Sequence, residues 1–295
     1  MTNFKIYSID QYRIGKKLIL SLMALCFLVP VAFAQEATVE VEDDNLAIRP
    51  PFESTWLIDN QTTVVPPAKT LQFDIQHRFG LVENGFEDLF GFFAPSNIRL
   101  GLTYTIIENL SVGFGTTKNQ RLQDFNLKYA LVQQTRSNKI PVSVTYFGNT
   151  ILDSRNSEFF FHTSDRYSFF HQVIISRKFT NALSVQVAPS LSHFNLTEPT
   201  LNNDHIAISS GFRYKVSSQS SIMVNYDQPI TEHDFGNPHP NISFGLEVST
   251  SSHSFQIFAG NYQALVPQYN QVFNTNDYQD GDFLIGFNIT RLWNF

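Results

Sequence analysis

Large apolar residues alternate with small or polar ones from Thr70 to the end of the chain, in segments of about ten residues. Successive side chains of a β-strand point to opposite faces, so a period of two is typical of strands with one apolar and one polar face. The pattern predicts twelve strands, over residues 70–79, 97–107, 110–118, 123–133, 141–151, 167–178, 183–194, 205–216, 221–228, 241–250, 254–263 and 282–293.

The connections between these strands alternate in length. The short ones are 108–109, 134–140, 179–182, 217–220 and 251–253. The others are 119–122, which is also short, and the long loops 80–96, 152–166, 195–204, 229–240 and 264–281. Outer-membrane barrels have short periplasmic turns, longer external loops and an even strand count. The sequence therefore predicts an all-β fold, an antiparallel transmembrane β-barrel of about 12 strands.

Two other architectures remain compatible with parts of the pattern. A soluble β-sandwich also contains many short strands, but it would not explain the alternation of short and long connections. A misread hairpin, for instance at 55–65, would change the strand count to ten or fourteen.

The polar face of the strands carries most of the charged side chains. A charge at the bilayer midplane costs about 2–4 kcal/mol in such barrels, so the apolar face is expected to contact lipid and the polar face to line the lumen. Two interpretations stay open: an ion-pair network that fills the barrel, or a narrow aqueous path that selects solutes by charge. The predicted lumen-lining residues are Asp74, Arg78, Arg99, Lys128, Arg213, Asp227 and Glu247.

Arg177 and Arg291 fall on the apolar face, beside Phe179 and Trp293. Both lie near the predicted periplasmic end of a strand, where a long basic side chain can reach the membrane interface at little cost. We interpret Arg177, Arg291 and Trp293 as interface anchors. The terminal Phe295 joins the same aromatic belt and serves as the assembly signal for the outer-membrane insertion machinery.

The first 34 residues have the pattern of a signal peptide. A basic stretch precedes the apolar run 18–33, and Ala32-Phe33-Ala34 provides a cleavage site. Residues 35–53 are acidic and predict a flexible periplasmic lead-in, followed by the barrel over 54–295. The single cysteine, Cys26, lies in the signal peptide, so the exported chain has no disulfide. The predicted location is the outer membrane.

Composition and charge narrow the class further. Cleavage removes four of the 20 basic and one of the 26 acidic residues, which leaves a net charge of −9. Nucleic-acid binding needs a basic footprint, so it is not expected. The chain contains 29 Phe and 11 Tyr, and no apolar run of about 18 residues follows Phe33, so no spanning helix is predicted. Abundant aromatics without such a helix favour a barrel in a lipid bilayer.

No catalytic motif is present: the chain lacks Gly-x-Ser-x-Gly, His-Glu-x-x-His and a phosphate loop. We therefore predict no catalytic residues, no enzyme and no cofactor. His193, His205, His233 and His239 fall in or beside the long loops and are candidates for metal ligands. Polar loops also contain histidine without binding metal, and that interpretation stays open.

Two long loops have distinctive compositions. The aromatic cluster in 86–95 is expected either to cover the barrel mouth or to lie at the membrane interface. The loop 264–281 is rich in Tyr, Asn, Gln and Asp, which is typical of an adaptable polar binding surface and also of an ordinary solvated loop.

Four short motifs point to a known family. They are Gln76-His77-Arg78-Phe79-Gly80, Ile98-Arg99-Leu100-Gly101, Lys128-Tyr129 before Gln133, and Gly286-Phe287-Asn288-Ile289-Thr290-Arg291. With these, the chain resembles a family of uncharacterised outer-membrane β-barrel proteins of Gram-negative bacteria, a domain of unknown function. The resemblance covers residues 52–295 and implies the barrel and its location. It implies no activity.

Three functional hypotheses follow. The leading one is a small channel or solute-binding barrel whose partners are the lipid bilayer and a small solute. The alternative is a non-transporting barrel whose external loops bind a partner, a surface ligand or a metal. An outer-membrane hydrolase comes third, because no spacing selects a serine and a histidine.

Overall fold

The computed structural model describes residues 45–295, and most of them belong to one closed antiparallel β-barrel. Two short strands precede it, β1 (Trp56–Leu57) and β2 (Asn60–Gln61), which pair as a small hairpin. The barrel strands are β3 (Thr70–Leu81), β4 (Asn97–Ile107), β5 (Leu110–Thr117), β6 (Leu122–Val132), β7 (Ser143–Asp153), β8 (Tyr167–Lys178), β9 (Leu183–Phe194), β10 (Asp204–Lys215), β11 (Ser220–Pro229), β12 (Asn241–Ser249), β13 (His253–Gly260) and β14 (Leu284–Asn294).

Each barrel strand pairs with its neighbours in sequence, and β14 pairs with β3 to close the wall. Leu71 lies opposite Trp293, and Thr70 lies opposite Asn294. Closure satisfies the backbone groups of every strand without leaving an edge, which lipid would not tolerate. The prediction of an antiparallel barrel of twelve strands is confirmed.

Two ends of the barrel differ in their connections. At the turn end, the strands are joined by 108–109, 133–142, 179–182, 216–219 and 250–252. At the loop end, they are joined by 82–96, 118–121, 154–166, 195–203, 230–240 and 261–283. The alternation expected from the sequence is therefore present, and 118–121 is again the one short loop.

Within residues 45–295, the helices lie at the loop end. Short 3-10 helices occupy Val82–Glu87, Asn119–Arg121, Ser157–Phe159 and Thr163–Arg166, and the helix α1 spans Pro267–Val272. No helix within residues 45–295 is long and apolar enough to cross a membrane.

The two faces of the wall differ in polarity as the sequence pattern predicts. Side chains on alternate positions of β3 are buried inside the barrel, and those between them are partly exposed on the outer wall. The outer wall carries large apolar side chains, for example Leu102, Phe125 and Ile257, with 48%, 53% and 58% of their surface exposed. This apolar outer surface is the one that contacts lipid.

The predicted signal peptide, 1–34, lies outside the described residues, and so do residues 35–44 of the predicted lead-in. Residues 45–51 run along the turn end, where the Ile48 amide donates to the Gln134 carbonyl at 2.9 Å. Residues 54–69, which the prediction counted with the barrel, contribute no strand to the wall.

Candidate functional site

A segment of the chain that precedes the wall lies inside the lumen. We call residues 52–65 the inner segment. Most of its side chains are buried, from Phe52 at 2% exposure to Thr62 at 0%. The hairpin of β1 and β2 forms its middle and turns at Ile58 and Asp59. The space that a wide barrel would leave to water is thus occupied by the protein's own chain.

Asp59 ties the inner segment to the wall and to a loop. Its carboxylate accepts a short hydrogen bond from Arg78, and the side chains of the two residues are 5% and 0% exposed. Arg78 also donates to the Asn288 amide oxygen at 3.0 Å. The Asn270 amide donates to the other Asp59 oxygen at 3.2 Å. Charged hydrogen bonds of this kind are the stronger ones inside proteins.

Polar contacts surround the inner segment on most sides of the wall. Asn60 donates to Asp227 at 2.6 Å, and Lys128 donates to Gln61 at 3.0 Å. The wall amides Gln72 on β3, Gln186 on β9, Gln256 on β13 and Asn288 on β14 each donate to the segment at 2.6–2.9 Å. Thr63 and Ser176 share a hydrogen bond of 2.6 Å between their hydroxyls.

One apolar cluster joins the inner segment to the wall. It consists of Phe52, Leu57 and Ile58 from the segment with Met223 and Phe258 from the wall. Ile58 has a φ of 60°, which is rare for a β-branched residue. Its amide donates to Gln256 at 3.2 Å and its carbonyl accepts from Asn288 at 2.6 Å, so the wall holds this strained backbone in place.

From the loop end, the connection 261–283 folds into the lumen, and we call it the inner loop. Its helix α1 is largely buried. Gln271 accepts from Ser190 at 2.9 Å and donates to Ser209 at 3.2 Å. Through Asn270 and Asp59, the inner loop meets the inner segment. The lumen is therefore filled from both ends.

The structure places all seven predicted lumen residues on the inner face of the wall. Arg99 pairs with Asp124 at 2.8 Å, and Arg213 pairs with Glu247 at 2.8 Å. Asp74 accepts from Gln72 and Thr290, each at 2.8 Å. The exposures are 2% for Asp74, 0% for Arg78, 3% for Arg99, 4% for Lys128, 4% for Arg213, 2% for Asp227 and 1% for Glu247.

The predicted anchors lie on the outer wall near the turn end. The Arg177 guanidinium stands 5.2 Å from the centre of the Phe179 ring, and that of Arg291 stands 5.3 Å from the Trp293 ring. Phe295 is 80% exposed. Cation–π pairs at an interface suit the role of anchors, which stays a prediction.

The aromatic loop 86–95 lies against the outer wall and not over the mouth. Phe92 packs on Phe79 with ring centroids 4.3 Å apart, and Phe79 occupies the lipid-facing side of β3. Phe86 and Phe93 are 84% and 80% exposed. Of the two expectations for this loop, the geometry favours the interface over the lid.

The four candidate metal ligands do not converge. His193 lies on the outer side of β9, where it pairs with Asp204 at 2.7 Å, whereas His205 is buried. The rings of His205 and His233 are in contact, with centroids 4.5 Å apart, and His239 lies 3.4 Å from Asp277. Within residues 45–295, no three His, Cys, Asp or Glu side chains are placed to hold a metal ion.

An open cleft of about 500 Å³ lies at the loop end. Arg155 and Arg166 line it, and their guanidinium groups stack on Phe159 at 4.9 Å and on Phe160 at 4.4 Å. Tyr269 of the inner loop closes its inner side. Aromatic and charged groups converge here in the manner of a small-molecule site.

Comparison with known families decides what this barrel is related to. The model of a membrane-bound β-barrel domain family (DUF5777) matches residues 52–293. The chain belongs to this family. The match to the DUF5777 family begins at Phe52, so the inner segment lies within the family domain. Among curated protein sequences, none matches the chain.

Three solved structures are distantly similar to this chain. The NanC porin is 11% identical with a TM-score of 0.47, covering 76% of this chain and 99% of that one. The KdgM porin is 9% identical with a TM-score of 0.46, covering 77% and 99%. An outer membrane channel from Pseudomonas putida F1 is 10% identical with a TM-score of 0.44, covering 78% and 97%. At these values the similarities carry no argument about function.

The sequence interpretation missed the residues that fill the lumen. The sequence pattern places Glu53 in the lead-in, Asp59 and Asn60 in the barrel domain before its first strand, and most of the inner loop in an external loop. A signal for Asp59 is present in the sequence, because the inner face carries a cation at Arg78 without an acidic residue on the neighbouring strands β4 and β14.

Proposed function

We propose that this protein is a small outer-membrane channel, exported through a cleaved signal peptide, whose lumen is closed by the inner segment in the described state. The polarity of the inner wall supports this most strongly. Around the inner segment the wall presents mainly polar side chains, among them Gln72, Gln186, Asn225 and Gln256, beside the apolar patch of Met223 and Phe258.

A permanent filling would not need such a wall. Buried polar and ionic groups are seldom better for stability than well-packed apolar residues of similar volume. A wall of amides, hydroxyls and paired charges keeps its hydrogen bonds with water once the segment leaves. The wall chemistry therefore suits a lumen that alternates between a protein-filled and a water-filled state.

The test is a reversible lock on the inner segment. The hydroxyls of Thr63 and Ser176 are 2.6 Å apart, so Thr63→Cys together with Ser176→Cys brings two thiols within reach of a disulfide. The exported chain has no other cysteine, because Cys26 lies in the predicted signal peptide. The matched control is the chain with neither substitution.

Single-channel recording in planar bilayers gives the result. The oxidised double variant should be silent, and reductant should restore steps of conductance that the control shows under both conditions. The channel would be refuted if the oxidised variant, the reduced variant and the control all show no conductance while their barrels migrate as folded until heated. Equal conductance in the oxidised and reduced states would refute closure by the inner segment.

The loop-end cleft favours a second candidate, a non-transporting barrel that binds a ligand through its loops. Arg155 and Arg166 stand on aromatic rings there, outside the part of the lumen that the inner segment fills. Binding at this cleft should persist when the disulfide of the Thr63→Cys and Ser176→Cys variant is formed, whereas transport should be lost. A silent barrel that binds a ligand in both redox states would favour this candidate.

A further inference from the structure

Cations surround the start of the inner segment at the turn end. The Glu53 carboxylate lies 3.0 Å from Arg49, 3.4 Å from Lys215 and 4.0 Å from Arg213. Burial alone would raise the pKa of Glu53, but the charges of these three residues and the hydrogen bond from Arg49 together outweigh burial and hold that pKa below its usual value. One ionised carboxylate therefore sits among several basic groups.

A small cavity lies beside this carboxylate. Its volume is about 140 Å³, and Lys178 lines it together with the three cations that face Glu53. We call Arg49, Lys178, Arg213 and Lys215 the turn-end cation cluster. A water molecule takes up about 30 Å³ of liquid volume, so the cavity has room for an ion the size of phosphate or acetate.

Within residues 45–295, the cluster has more positive charge than its acidic partners neutralise. Glu53 and Glu247 are the carboxylates of that part of the chain in ion pairs with it, and Arg213 is the cation of the cluster that pairs with Glu247, at 2.8 Å. Four cations therefore face two acids. Arg213 is 4% exposed, so part of this charge is held away from water, where an added anion is attracted more strongly.

The chemistry of the cluster fits an oxyanion. Guanidinium groups bind carboxylate and phosphate oxygens through paired N–H donors, and lysine adds a point charge. Glu53 already presents a carboxylate to the cluster. Because Glu53 belongs to the inner segment, any anion that takes its place also removes the ionic contact that holds this end of the segment to the wall.

We propose that the turn-end cation cluster is a binding site for a carboxylate or phosphate group, that Glu53 occupies it in the closed state, and that a competing anion loosens the inner segment. The loosening rests on the proposed channel function. The binding does not.

The test follows the exposure of the inner segment in the full exported chain. Ser54, next to Glu53, is 4% exposed, and Ser54→Cys introduces a single thiol that is protected while the segment is in place. The rate at which a water-soluble reagent modifies that thiol is measured as sodium phosphate or sodium acetate replaces chloride at constant ionic strength. The rate should rise about tenfold at saturating anion, as expected for the loss of about 1.4 kcal/mol of protection.

Variants in the same background assign the effect. Glu53→Gln should raise the rate about tenfold without added anion and leave little further response. The matched control is Glu87→Gln, an exposed carboxylate at the loop end, which should change neither rate nor response. Lys215→Gln with Lys178→Gln should abolish the response to both anions.

The outcomes separate the possibilities. Acceleration by phosphate alone identifies a phosphate site, and acceleration by acetate alone identifies a carboxylate site. An unchanged rate in both salts, or an equal response in the lysine double variant, overturns the anion site. The reduced Thr63→Cys and Ser176→Cys chain tests the channel separately. If that chain conducts but the Ser54→Cys chain shows no response to anions, the channel is supported and the anion site is refuted. If the Ser54→Cys chain responds to anions but no conductance is found, the anion site is supported and the channel is refuted.

Discussion

The contact between Asp59 and Arg78 gives the sharpest test of how the lumen is closed. In Asp59→Asn the volume is kept, but Arg78, whose side chain is 0% exposed, loses its carboxylate. It retains three neutral acceptors, the His77 carbonyl at 2.9 Å, the Asn288 amide at 3.0 Å and the Phe287 carbonyl at 3.5 Å, and the Phe258 ring at 4.4 Å. Removing one partner of a buried pair costs about 3–5 kcal/mol, and these remaining partners put the loss at about 3 kcal/mol.

This loss falls on the closed state alone, because Arg78 faces water once the inner segment has left. A loss of about 3 kcal/mol corresponds to about a hundredfold increase in the ratio of open to closed barrels. The assay is the open probability in planar bilayers, with migration before and after heating as the check that the barrel has formed. Removing the stranded cation as well, in Asp59→Asn with Arg78→Gln, should restore most of the closure. The reasoning is refuted if the single variant stays closed, or if the double variant opens as readily as the single one.

Two further predictions concern the wall. A Cβ atom on Gly115 would overlap the Asp124 carboxylate and the Arg99 guanidinium, so Gly115→Ala should lower the free energy of unfolding by about 1–3 kcal/mol; an unchanged urea midpoint in detergent would contradict this. Phe295 is 80% exposed, so Phe295→Gly should change the stability of the refolded barrel by no more than about 0.5 kcal/mol while lowering the amount inserted in cells severalfold. Equal losses in both measurements would make Phe295 a structural residue and not an assembly signal.

The alternation of apolar and polar residues is sufficient to predict the wall, because the face of the sheet to which a strand side chain points depends only on its position along the strand. In β3 the alternation of Leu71 and Phe73 with Gln72 and Asp74 already separates the lipid side from the lumen side. The largest error in a strand end is at β13, predicted to reach residue 263 and observed to end at Gly260. The alternation continues past that point, but the chain bends inward there.

The filling of the lumen could not be predicted from local sequence patterns, for a physical reason. The partners of the inner segment are far away in sequence: Ile58 bonds to Asn288, 230 positions on, and Asn60 bonds to Asp227, 167 positions on. Because the inner segment forms hydrogen bonds with a polar wall, its sequence shows no regular spacing of apolar residues from which its position could be predicted. The inner loop is hidden in the same way, since its asparagines and glutamines have the composition of a solvated loop.

The many hydrogen bonds around the inner segment contribute less to closure than their number suggests. Each exchanges for a bond to water on opening and adds only about 0.5–1.5 kcal/mol. The left-handed backbone at Ile58 opposes closure by about 1–2 kcal/mol. Closure therefore depends mainly on the apolar cluster around Leu57 and Ile58 and on the buried contact between Asp59 and Arg78. In the proposed channel, a signal for opening would need to act on these few contacts, and the turn-end cation cluster, which holds the adjacent Glu53, is the part of this arrangement that a soluble anion can reach.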